Sequence, residues 1–268
     1  YIADLSEPEK QVRALSGFMV LGDETAFEAI KKVAFESISH PQKEMAIQAL
    51  HLLNSERARP VLLKILDNSG QVRWKQDPEN KFVQLGHWYH ISALIGRILA
   101  KAGDKSAVPY LIDVLESIIA EKHTSWEPHA SIIRSLGMLG DPRAAQVIRE
   151  FLGSNVDVTA AAARALGRIG DTHSIPRLRK LFRESDYPVI TQYTGQALVQ
   201  LEDRDILPEM EPYLASEDEN LRAMAACALR KLGNKGDQKV LRKFLKNEEF
   251  PWVRQAGSAD GGLGFCSP

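Results

Sequence analysis

The residues best equipped for chemistry are cations that recur along the chain. Arg97, Arg134 and Arg164 follow one another at spacings of 37 and 30 residues, and Lys101 and Arg168 stand four residues beyond two of them. A guanidinium presents a planar fork of donors that matches a carboxylate or phosphate in two places at once. Brought into a row, such groups would hold an acidic protein segment or a phosphate-bearing ligand. The competing reading is that they are solvated surface residues paired with neighbouring acids.

Aromatic residues form the second group. Trp74, Phe82, Trp88, Tyr89 and Tyr110 lie close together in the sequence, with Trp126 further on. Tryptophan and tyrosine are the usual anchors of protein interfaces, so Trp74, Trp88 and Tyr89 join the cations as candidate partner-binding residues. The alternative is that these rings pack a long segment onto the body of the protein. His87 and His90 share one helical face, and His123 and His129 lie beyond them. Two imidazoles three residues apart do not hold a metal without further ligands, and no cysteine is near, so neither metal nor cofactor is assigned. The sequence contains no Walker loop, no Gly-x-Gly-x-x-Gly and no Gly-x-Ser-x-Gly, and no catalytic residue is assigned. Cys227 recurs at the same offset as the arginines, where a reactive thiol is conceivable; a small buried residue is the stronger reading.

What must position these side chains is a repeat. A short signature returns as Leu21-Gly22-Asp23, Leu53-Asn54-Ser55, Ala102-Gly103-Asp104, Leu139-Gly140-Asp141, Ile169-Gly170-Asp171, Leu201-Glu202-Asp203 and Leu232-Gly233-Asn234. The basic period is about 31 residues, with two longer units. Three further columns are apolar in every unit: the positions seven and eleven after the third signature residue, and five before it. Each unit reads as two helices. The first begins where Asp or Ser can accept from free N–H groups, with Pro60, Pro109, Pro176 and Pro208 in its first turn. The second ends on the signature glycine. The arginines stand seven residues before the third signature residue, and Lys101, Met138 and Arg168 stand three before it.

The run from Ala160 to Asp171 (Ala-Ala-Ala-Ala-Arg-Ala-Leu-Gly-Arg-Ile-Gly-Asp) resembles the short HEAT repeats of phycobilin lyases and many bacterial and archaeal proteins. The resemblance spans roughly residues 9–255 and implies an all-α solenoid, a superhelix of stacked two-helix repeats. It also implies that second helices line the concave surface, which would set the arginines in a row about 10 Å apart. The repeats are similar to those of deoxyhypusine hydroxylase too, whose di-iron centre needs His-Glu pairs. No His-Glu dipeptide occurs in this sequence.

One continuous array is expected over residues 1–256, with insertions near 67–86 and 120–127 and a glycine-rich tail at 257–268. Insertions at the same place in adjacent repeats project from one side, often the binding side. A net charge of −1 disfavours nucleic acid, and no apolar run approaches the ~20 residues of a membrane span. Two cysteines without metal or disulfide spacing suit a reducing, cytoplasmic setting. The chain opens on Tyr1 and not on Met, which leaves open what precedes it.

Three functions follow as expectations. The first is a scaffold that grips a protein partner with its concave face and insertion edge, without turnover. The second, implied by the resemblance, is a lyase-like protein whose arginines pair with bilin propionates. The third is nucleic-acid binding, with arginines on phosphates.

Overall fold

The computed structural model describes residues 2–37, 39–69, 81–122 and 126–258, without the side chains at 8, 68–69 and 81–85. Among the described residues there is no strand. The chain divides into two compact units, the first ending at Ser135 and the second beginning at Leu136. The first unit carries α1 (Pro8–Leu21), α2 (Phe27–Glu36), α3 (His40–Leu53), α4 (Ser55–Ser69), α5 (Lys81–Lys101) and α6 (Val108–Ala120). The division falls inside α7 (Trp126–Leu139). The second unit carries α8 (Ala145–Arg149), α9 (Val156–Ile169), α10 (Ile175–Glu184), α11 (Pro188–Gln200), α12 (Leu207–Met210), α13 (Glu219–Leu232), α14 (Lys235–Asn247) and α15 (Pro251–Gly257).

Even-numbered helices are the first helices of each repeat and odd-numbered ones the second. In the first unit α1 packs on α3, α3 on α5, and α4 on α6. In the second unit α9 packs on α11, α11 on α13, and α13 on α15. The fold is an all-α solenoid, built because neither helix of a repeat can bury its apolar face alone. The column five before the third signature residue (Phe18, Leu50, Leu99, Leu136, Leu166, Leu198, Leu229) is buried throughout, as is the column from Ile30 to Leu241. Burying each such side chain stabilises by about 1.5–3 kcal/mol. The third column loosens at the C-terminal end, where Leu214 and Leu245 are only half-buried.

The signature works by two devices. Gly22, Gly103, Gly140 and Gly170 take φ of 64°, 69°, 62° and 80°, the left-handed conformation that stops a helix and costs a side-chain-bearing residue strain. Asp23, Asp104 and Asp141 then accept from the backbone N–H two residues on (Thr25, Ser106, Arg143), each opening a single 3-10 turn before the first helix. Four signatures differ from expectation, and in two of them Asp171 and Asp203 make no side-chain cap. Asn54 and Gly233 are extended, and Asn234 instead closes a capping box with Asp237. At Leu201-Glu202-Asp203 the left-handed position is filled by Glu202, at φ 58°.

The expected insertion at 67–86 is helical at both ends, since α4 continues to Ser69 and α5 starts at Lys81. Pro109, Pro176 and Pro208 fall second in α6, α10 and α12, as expected, but Pro60 lies inside α4. Near 120–127, α6 ends at Ala120 and α7 starts at Trp126. The short α15 stops at Gly257, and the tail beyond 258 lies outside the described residues.

Candidate partner-binding face

Of the four aromatic candidates whose side chains are described, the structure buries two, Trp88 and Tyr89. Tyr89 is fully buried, its hydroxyl 3.2 Å from the Ser117 Oγ, and Trp88 is buried against it with ring centroids 5.2 Å apart. Tyr89 belongs to the packing of α5 on α6, and Trp88 is buried beside it, so their reading as exposed partner anchors is corrected. Periodicity carried this signal, since Trp88 stands eleven residues, about three turns, before Leu99 of the buried column on the same helix face. Tyr110 is half-buried, Trp126 is exposed at the start of α7, and Trp74 lies outside the described residues.

Arg97 and Lys101 on α5 and Arg134 on α7 are exposed, while Arg164 and Arg168 on α9 are half-buried. In the first unit two of them are brought level. A Cβ built on Gly96 would lie 3.6 Å from the Ser135 Cβ, so the residues beside Arg97 and Arg134 pack closely on one another. In the second unit the Arg164 guanidinium stands over the Tyr193 ring of α11, 5.7 Å from its centroid. Burial, and then the charge of Arg164, push the Arg168 guanidinium below its ordinary range, although it stays charged at any physiological pH.

Among the described residues no carboxylate pairs with Arg97, Lys101, Arg134, Arg164 or Arg168. The arginines of the first helices behave differently. Arg59 on α4 binds Asp104 (Nη2–Oδ1 2.7 Å), Arg149 on α8 binds Asp171 (3.1 Å), and Arg179 on α10 binds Asp203 (Nε–Oδ2 2.7 Å). These ion pairs reach from one repeat to the signature aspartate of the next. Arg183 binds Glu209 in the same way at 2.6 and 2.7 Å. Burial alone would raise the Asp104 pKa; the donors from Arg59 and Ser106 outweigh it and hold the carboxyl below its usual range. Sequence reasoning missed this ladder, and the signal was present: Arg149 and Arg179 each stand eight residues after a signature aspartate.

Acidic residues are segregated as well. Across α5, α7, α9, α11, α13 and α15 the acids are Glu127, Asp157 and Glu219, each the first or second residue of its helix. There a helix N-terminus favours negative charge. Beyond those first turns these six helices carry no acid, and all but α11 carry cations. Of the cations further along, Arg222 pairs with Glu248 and Arg230 donates to the Ala256 carbonyl, while Lys231 has no ion pair among the described residues. Lys231 is pushed down by partial burial and then by Arg230, with Glu202 offsetting part of the effect.

A second cluster was only half visible in the sequence. His40 on α3 stacks on His87 of α5 with centroids 4.6 Å apart, and His90 stands edge-on at 6.0 Å. His40 was not singled out, because its partners are 47 and 50 residues away. No group of three or more His, Cys, Asp or Glu among the described residues is placed to hold a metal. Cys227 is buried on α13, as expected of a small core residue. Among the described residues no helix is long and apolar enough to cross a membrane.

Comparisons with known proteins agree with this architecture. No curated protein matches the sequence. Among solved structures the chain is similar to the complex of CpcE and CpcF of phycocyanin lyase from Nostoc sp. PCC7120. That match is 22% identical, with a TM-score of 0.54, and covers 86% of this chain and 85% of that one. At that identity the likeness speaks for the fold. A family profile described as HEAT repeats matches residues 117–198 and 187–259, more than half of the chain. With the signature glycines, the buried columns and the two-helix layers in place, the chain belongs to the HEAT-repeat proteins.

Proposed function

We propose that this protein is a binding scaffold whose second-helix layer holds an acidic segment of a protein partner. One contrast carries the reading: Arg59, Arg149, Arg179 and Arg183 on the first helices are engaged by carboxylates of the following repeat, whereas Arg97, Arg134, Arg164 and Arg168 on the second helices have no carboxylate of their own among the described residues. Charge left uncompensated on a folded surface is available to a ligand. The similar solved structure is itself a complex of two subunits, which supports a protein as the ligand.

The test is affinity capture with the protein as bait, comparing wild type with an Arg134→Glu/Arg164→Glu variant. Capture of an acidic protein that disappears in the variant and weakens with salt is the expected result. Equal capture by both proteins would remove the reading.

A second reading rests on the same guanidiniums. Because the similar structure is a phycocyanin lyase, the arginines would pair with the propionates of a bilin. Incubation with a free bilin should then shift its visible absorption, and an unchanged spectrum would sink this alternative.

A further inference from the structure

The position three before the third signature residue changes character along the first unit. It is Val20 on α1, Leu52 on α3 and Lys101 on α5. Val20 is 85% exposed and Leu52 65% exposed, and Lys101 is exposed beside them. Since α1 packs on α3 and α3 on α5, the three side chains leave successive helices at one level, about 10 Å apart. Leu21, 67% exposed, widens the apolar end. Leu52 is not bared by lying at the edge of the array, because α3 has a second helix on either side.

Single exposed aliphatics are ordinary on any protein surface. Two in the same register on packed helices, running into cations, are a different case. Beyond Glu9 in α1 and Glu44 in α3 these helices carry no acid, and α5 carries none at all. Arg97 lies one turn back from Lys101, and Arg134 stands level with Arg97 on α7. The surface therefore has an apolar end and a cationic end, both fixed on rigid helices.

We infer that the strip Val20–Leu52–Lys101, flanked by Arg97 and Arg134, docks an amphipathic peptide helix. Its leucine-type residues lie on Val20 and Leu52, and its glutamates or aspartates meet Lys101, Arg97 and Arg134. This rests on the scaffold reading above and adds to it that the partner segment is apolar at one end as well as acidic. The aliphatics would supply contact area and the cations would fix direction, since reversing the peptide puts carboxylates on Val20 and Leu52.

The probe is a labelled 18-residue helical peptide with two leucines two turns apart, about 10 Å along its axis, followed by glutamates, alongside a control with serines for the leucines. Anisotropy titrations use the full chain, its Val20→Ser/Leu52→Ser variant and its Arg97→Glu/Lys101→Glu variant. All four altered residues are exposed, and circular dichroism checks that each variant folds. The wild type should prefer the leucine peptide by roughly tenfold. The serine variant should lose that preference while still binding both peptides, and the glutamate variant should lose both. If wild type binds the two peptides alike and the serine variant changes nothing, the inference falls and the acidic-partner reading survives. If neither peptide binds at low salt, both fall. Binding of phosphatidylserine-containing vesicles through Val20 and Leu52, without binding of the peptide, would also overturn the inference.

Discussion

Gly167 on α9 lies so close to α11 that a Cβ built on it would sit 2.8 Å from the Ala197 Cα and meet the Gln200 amide as well. Backbone is the obstacle here, and backbone cannot step aside as a side chain can. Gly167→Ala should therefore destabilise the protein by about 1–3 kcal/mol, read as a lowered denaturant midpoint. Gly195→Ala faces mainly the flexible end of Met224 and should cost less, below about 1.5 kcal/mol. Equal losses at the two sites would show that the second helices are not held at glycine-limited separation.

Glu202 occupies a left-handed position that four other signatures give to glycine. Glu202→Gly should raise stability by about 1 kcal/mol in a thermal or chemical melt. The converse change, Gly170→Ala at φ 80°, should lower it by a similar amount. A destabilised Glu202→Gly variant would mean that the side chain is engaged in a way the backbone argument overlooks.

Removing Arg179 leaves the Asp203 carboxylate buried without its main donor. Arg179→Met should cost about 1.5–3 kcal/mol, while Arg97→Met, which breaks no ion pair among the described residues, should be close to neutral. The same pair of substitutions should act in reverse on capture of an acidic partner. If Arg97→Met proves the more destabilising of the two, the division between structural and available arginines is wrong.

His40 gives the fold a pH dependence of defined sign. Burial pushes its imidazole pKa below the usual histidine value; Glu44 offsets part of this, and the nearby His87 and His90 push it further down. The unfolded chain then binds the proton more readily than the folded one. Stability from this site is present above about pH 6.5 and is lost as pH falls from there through the lowered folded pKa. Melts between pH 7.5 and 5.5 should show a shallower loss for His40→Gln than for wild type. Identical slopes would assign the dependence elsewhere.

The sequence disclosed most of the fold, because the features that define it are local. A glycine that must go left-handed at Gly103 or Gly170, an aspartate that caps two residues on, and a leucine every repeat are all short-range signals. The Arg59–Asp104 and Arg179–Asp203 pairs were harder to read, since each joins residues 45 or 24 apart and only the recurrence of Arg149 and Arg179 at one offset hints at a shared role. Trp88 and Tyr89 were misassigned because their residue types, common at interfaces, were weighed ahead of their place relative to the buried Leu99 column, which puts Trp88 on the inward face. The exposure of Val20 and Leu52 accords with the repeat frame, since they share the offset of Lys101 and Arg168 and not that of a buried column.

The ladder of arginines and signature aspartates has a bearing on how such an array could be lengthened or recombined. Counted from signature to signature, a repeat carries its own glycine stop and its own aspartate, but the arginine that neutralises Asp104, Asp171 or Asp203 belongs to the segment before it. Cutting at the signatures would strand a buried carboxylate at one junction and an unused guanidinium at the other. The interchangeable module here is offset, running from the middle of one first helix to the middle of the next, and duplication or grafting would succeed at those seams.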